Sequence, residues 1–144
     1  DEHTILGHCI YLDHHSWTPL NTRDDLPLLA ERETTVAHCP TVFGRTGMTM
    51  ESFGEYVRAG VNLGIGTDSF PYNMLEELRH VGIYARITTG NVHDLTSADV
   101  FNAATLGGAQ ALLRDDIGRL AVNATADIVI VDIEHPLMRP GREA

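Results

Sequence analysis

Three short apolar runs recur along the chain, at residues 4–8 (TILGH), 34–38 (TTVAH) and 61–66 (VNLGIG). None alternates apolar with polar residues, which suits strands covered on both faces of a sheet. A helical pattern follows each run, with apolar residues three and four apart. Residues 24–31 carry Leu26, Leu29 and Ala30 on one side, with Thr22 as the expected cap and Asp25 three positions on. Residues 50–59 put Phe53, Tyr56 and Val57 on one stripe and stop at Gly60. Residues 73–87 form the strongest helical pattern, with Leu75, Leu78, Val81 and Ile83. Pro40 is expected to stop the second strand, and 41–49 reads as a glycine-containing loop. A strand every 30 residues or so, each with its helix, is the signature of repeated βα units on a parallel sheet.

The C-terminal pattern differs. Thr96 or Ser97 caps a helix over 98–104, and LGGAQALLR suggests a further short helix. DIVIVDI, residues 127–133, reads as a strand, with 117–121 as its partner in a small β element. These features divide the chain near residue 114, giving a βα part at 1–114 and a β part at 115–144.

Composition narrows the function. Hydrophobic residues make up 43% of the 144 and charged residues 21%, enough for a core in a globular domain. The net charge is −10, the wrong sign for a nucleic-acid backbone. All ten cationic side chains are Arg, so no lysine Schiff base or lysine-derived metal bridge comes from this stretch. Cys9 and Cys39 form no C-x-x-C, which argues against a disulfide framework and makes a reducing, cytoplasmic setting the expectation. No run approaches the ~20 apolar residues of a membrane span. The opening DEHTILGHC lacks Met and starts almost on a strand, as an interior cut would.

The chemistry sits at the strand ends, which read GHC, AHCP and GTDSFPYN. In a (β/α) barrel these ends converge on one active site, so His8, His38 and Asp68 would meet there. Two imidazoles and a carboxylate suit a metal or an acid–base pair. A carboxylate leaving water needs a cation or several donors, or it neutralises. The blander assignments go elsewhere. His14 and His15 lie in a loop, and His80 and His93 read as solvated. Glu76, Glu77 and Arg79 form an ordinary charged helix face, and Cys9 and Cys39 are small buried residues.

The ordered series GHC, AHCP, GTDSFPYN, ATLGGAQAL and IGRL…ADIVIVD resembles the C-terminal part of the amidohydrolase superfamily, in its cytosine/guanine-deaminase and chlorohydrolase-like branch. The resemblance runs from Thr4 to Asp132. One departure is Asn123, which stands where the tail pattern has a turn glycine. The resemblance implies the sixth to eighth strands of a metal-dependent-hydrolase (β/α)8 TIM barrel, plus strands of a small β-sandwich. It implies one divalent metal, Zn2+ first and Fe2+ second, with Asp68 and His8 as ligands and catalytic groups. His38, Phe70, Tyr72 and Asn73 would line the pocket of a small-molecule substrate. The reaction would be hydrolysis of a C–N or C–Cl bond of an N-heterocyclic or amidine-like compound, deamination foremost, in a homo-oligomeric full-length enzyme. The H-x-H of the first strand and the histidine of the fifth are absent. A closed barrel takes at least ~200 residues, so the chain is expected to be the back part of an enzyme, inactive alone. The competing expectation is a non-catalytic or accessory chain that needs a partner carrying the H-x-H half.

Overall fold

The computed structural model describes residues 3–20 and 22–138. Its centre is a three-stranded parallel sheet in the order β1 (Ile5–Gly7), β2 (Thr35–His38), β3 (Asn62–Ile65). Leu6, Val36 and Leu63 stand side by side in register, as do Gly7, Ala37 and Gly64. The pairing runs on past the strands. The His8 amide donates to the Ala37 carbonyl at 2.8 Å, and the Gly66 amide to that of His38 at 3.0 Å. The C-terminal ends of all three strands therefore share one rim.

The helices are α1 (Asp25–Glu31), α2 (Pro40–Gly44), α3 (Phe53–Ala59), α4 (Met74–Thr89), α5 (Ser97–Asn102) and α6 (Gly108–Ala111). Most apolar stripe positions read from the sequence face one core, but Val57, Leu75 and Ile83 are exposed, at 37%, 41% and 43%. Val36, Phe53, Tyr56, Leu63, Val81, Val100 and Ala103 are buried together there. Burying each large member contributes roughly 1.5–3 kcal/mol. Local signals set the helix ends. The Ser52 hydroxyl accepts the Glu55 amide, and the Asn73 side chain accepts that of Glu76. Thr96 and Asp99 cap α5 reciprocally. Gly60 and Gly90 stop α3 and α4 at φ 82° and 63°, where a Cβ is costly.

Several expectations need correction. The cap of α1 is not Thr22, which lies outside the helix. Instead Asp13 Oδ2 accepts the Thr22 hydroxyl and the Asp24 amide, each at 2.6 Å. The Asp25 carboxylate answers by accepting the Asp13 amide at 2.9 Å. Pro40 opens α2 rather than merely ending β2, because its fixed φ suits the first helical position. The third helix begins at Phe53, not residue 50, since Ser52 is its capping residue.

The two helices expected after residue 97 form one continuous run from Ser97 to Ala111. A π-helical turn, Ala103–Gly107, joins α5 to α6. Its Gly107 packs directly on β3, and the Asn62 side-chain amide donates to the Gly107 carbonyl at 3.1 Å.

Residues 117–121 and 127–133 are not strands; among the described residues β1–β3 are the only ones. Leu120 and Ile130 are 80% and 92% exposed, so these apolar runs are largely uncovered, and neither has a ladder partner. A strand pattern forms a strand only beside a neighbour. Asn123 adopts φ 66°, the left-handed turn conformation that Asn tolerates better than most residues, so the missing glycine leaves the turn intact. Among the described residues, no helix is long and apolar enough to cross a membrane.

Candidate functional site

The rim departs from relaxed backbone at the positions where chemistry was expected. His8, Cys9 and Asp68 have φ of 65°, 47° and 52°. Each left-handed non-glycine residue costs roughly 1–2 kcal/mol, and such outliers cluster at functional sites. These turns bring His8 from β1 and Asp68 from beyond β3 together across β2, with His8 Nε2 3.6 Å from Asp68 Oδ2. The Phe43 ring of α2 meets the imidazole edge-on at 4.7 Å between centroids and fixes its plane. Asp68 stays half exposed.

The separation is informative. At 3.6 Å the pair is too far apart for a hydrogen bond. It is close to the ~3.4 Å between neighbouring N and O ligands on one tetrahedral Zn2+. One imidazole nitrogen and one carboxylate oxygen are also a suitable donor pair for that ion. They are only part of a set: among the described residues, no three His, Cys, Asp or Glu side chains are placed to hold a metal ion. His8 and Asp68 thus fit a divalent ion as two of its ligands and fall short of a full set.

His38, the last residue of β2, is only 3% exposed. Burial, then the neighbouring His8, pushes its pKa down to about 3, so it is neutral at physiological pH. Its Nδ1 is buried without a hydrogen-bond partner, and its ring lies 6.0 Å from that of Phe53. Phe70 and Tyr72 project from the rim, 70% and 81% exposed. Asn73 does not join them: its side-chain oxygen accepts the Glu76 amide at 3.3 Å and caps α4. Cys9 and Cys39 are thiols, each pushed up to about 11, chiefly by burial, which excludes a resting thiolate.

Sequence reasoning missed three groups around the rim. Glu77 is buried at 1% exposure rather than solvated, and its carboxylate accepts the Thr41 amide at 3.1 Å in the first turn of α2. His80 is engaged rather than solvated: its Nδ1 lies 2.8 Å from the Thr41 hydroxyl, and its ring stacks on Tyr84. Arg45, just past α2, reaches across to Ser69 and Phe70 in the loop that carries Asp68. No local motif marks these contacts, because the partners lie 24 to 39 residues apart.

His14 and His15 pack against Tyr56 and Trp17, with all four ring nitrogens buried without a hydrogen-bond partner and His14 Nδ1 3.8 Å from Asp13 Oδ1. Burial, then the neighbouring His14, lowers the His15 pKa to about 4, against an ordinary 6.5. The unfolded chain therefore takes up a proton as pH falls below 6.5, while the folded one does not until about 4. The contribution is present above pH 6.5 and is lost toward pH 4, at up to about 1.4 kcal/mol per pH unit. We expect His15→Gln to flatten the denaturant-unfolding free energy between pH 6.5 and 4. An unchanged slope would show that His15 titrates normally.

Residues 1–142 match the amidohydrolase family, and the chain belongs to that family. A 5-methylthioadenosine/S-adenosylhomocysteine deaminase of Natronomonas pharaonis is 31% identical over 147 residues, an alignment spanning 99% of this chain and 32% of the relative. An adenosine deaminase of Xanthomonas campestris, solved with bound zinc, superposes with a TM-score of 0.79 at 33% identity, over 97% of this chain and 31% of the other. An atrazine chlorohydrolase of Arthrobacter aurescens, solved with zinc and atraton, superposes at 0.67 with 25% identity, over 81% of this chain and 25% of the other. The chain spans about a third of the length of the curated relatives it matches.

Proposed function

We propose that this chain is the C-terminal part of a metal-dependent hydrolytic deaminase. In that reading β1, β2 and β3 are the sixth to eighth strands of a (β/α)8 barrel. Residues 1–114 belong to the barrel, and 115–144 supply strands to a small β-sandwich whose other strands lie outside this chain. The exposed 127–133 run is consistent with a strand awaiting its neighbour. The observation that carries the proposal is the convergence of His8 Nε2 and Asp68 Oδ2 at 3.6 Å on one strained rim.

When bound, a divalent ion, Zn2+ by preference, lowers the pKa of water toward about 7 and so makes hydroxide available at neutral pH. Asp68 then takes the proton from the attacking water and delivers it to the departing nitrogen. His8, with the Phe43 ring edge-on to its imidazole, would hold the ion through Nε2 beside Asp68 and so set where the attacking oxygen and its developing charge lie. Neutral His38 supplies the floor, and Phe70 and Tyr72 flank the mouth. The substrate class is a flat N-heterocycle bearing an exocyclic amine, with adenosine-type nucleosides first. Water replaces that amine, and ammonia leaves.

The test is direct. The full-length protein is expected to hold one divalent ion per chain and to release ammonia from adenosine-type nucleosides. Chloride released from a chlorinated heterocycle, with no ammonia from any amine, would place it with the dechlorinating relatives. No tightly held metal and no turnover of either kind would overturn the reading. The isolated 144-residue stretch is expected to hold no stoichiometric metal, since two ligands are too few.

A further inference from the structure

The loop that carries Asp68 is held from outside by one side chain. Arg45 lies at the C-terminal end of α2, with its backbone amide bonded to the Thr41 carbonyl. Its guanidinium spans to the β3 loop in three ways. Nη1 donates to the Ser69 hydroxyl at 3.4 Å, Nη2 donates to the Phe70 carbonyl, and the guanidinium carbon sits 5.3 Å above the centre of the Phe70 ring. The fork bonds the main chain and the neighbouring hydroxyl while the guanidinium lies over one side of the ring. An ammonium, as a point charge, cannot do both. Phe70 remains 70% exposed. A large aromatic held rigidly on one face and bare elsewhere, two residues from Asp68, has the form of a stacking platform.

We propose that Arg45 is a positioning residue that locks the 67–73 loop and holds Phe70 as the platform on which a planar heterocyclic substrate stacks. The inference rests on the deaminase reading above and adds to it how the flat ring is selected. Phe70 contacts the substrate, and Arg45 acts through Phe70. Non-planar compounds gain nothing from such a face, so the platform favours flat aromatic rings over saturated ones.

The test uses the full-length protein with adenosine as probe. Arg45→Met is expected to speed amide hydrogen exchange at residues 67–73 by tenfold or more while leaving 35–38 unchanged. It should raise KM for adenosine by about tenfold, with kcat within threefold and metal content unaltered. Phe70→Ala should raise KM equally, and the double variant should be no worse than either single one, because both remove one platform. Arg45→Lys, which keeps the charge and loses the fork, should behave as Arg45→Met does. Unchanged exchange at 67–73 in Arg45→Met, an adenosine KM within twofold of wild type in Phe70→Ala, or multiplicative effects in the double variant would each overturn the proposal. Should adenosine not turn over, its equilibrium binding to wild type and Phe70→Ala replaces KM: equal binding, or none, overturns the platform. Failure of the deaminase reading shows separately, as absent turnover and metal in the wild type, while the exchange experiment still decides whether Arg45 anchors the loop.

Discussion

Asp68→Asn in the full-length protein lowers kcat by on the order of a thousandfold or more, with the fold intact. The expectation follows from what the carboxamide keeps and what it loses. It keeps the size of the side chain, which is half exposed and so is not part of the packed core. It also keeps the backbone, because φ is 52° at this position and Asn is among the few residues that tolerate that region. It loses the negative charge that a shared cation requires, and it cannot accept and return a proton, a step worth typically 10²–10⁴ in rate. Metal content should fall together with kcat, and the melting temperature of the metal-stripped variant should match that of metal-stripped wild type within about 2 °C, as for a surface substitution. Alanine would be a poorer probe, since it is less at ease at a positive φ and would mix strain with chemistry. Retention of kcat within tenfold of wild type would remove Asp68 from the centre of the mechanism.

The rim that makes this prediction possible was legible in the sequence because short-range rules govern it. Parallel strands read as apolar runs, so β1, β2 and β3 are visible and their last residues follow, although β1 is exposed along its length rather than covered on both faces. Gly60 and Thr96 mark helix ends through their own backbone or side chain, without help from distant residues. The misreadings share the opposite property. The cap of α1 is a carboxylate eleven residues before Asp24, so the closer Thr22 looked sufficient. Glu77 belongs to an acidic pair at the start of α4, and only the fold reveals that one of the two turns inward to meet Thr41. Arg45 carries no motif, since its partners are defined by which loops end up adjacent. The run at 127–133 has the composition of a strand, but composition cannot supply the neighbour that makes one. The same limit holds for the proposed metal: its two proposed ligands, His8 and Asp68, can be found from the chain, whereas further ones cannot.

Gly107→Ala is expected to destabilise the protein by about 3 kcal/mol, the upper range for overpacking, although alanine is ordinarily the better helix former by about 1 kcal/mol. The reversal comes from one distance. A Cβ on Gly107 would lie 1.8 Å from the Leu63 carbonyl oxygen and 3.0 Å from its carbon. That neighbour is the backbone of β3, tied into the sheet beside β2, so it cannot swing aside as a flexible side chain would. Either the helical run from Ser97 lifts off the sheet or β3 shifts in its ladder. Gly108 provides the internal control, since a Cβ there meets nothing within 4 Å and the backbone is helical at φ −63°. Gly108→Ala should therefore be neutral or slightly stabilising, while Gly107→Ala lowers the melting temperature by about 10 °C. Melting temperatures within 2 °C of each other for the two variants would mean that the π-helical turn does not press on β3. The effect also reaches the chemistry. Asp68 follows three residues after β3 ends at Ile65, and His8 approaches it from β1, so a displaced β3 changes their 3.6 Å separation. A loss of turnover in Gly107→Ala below its melting transition, absent in Gly108→Ala, would show that the packing of one glycine against one carbonyl sets the geometry at the rim.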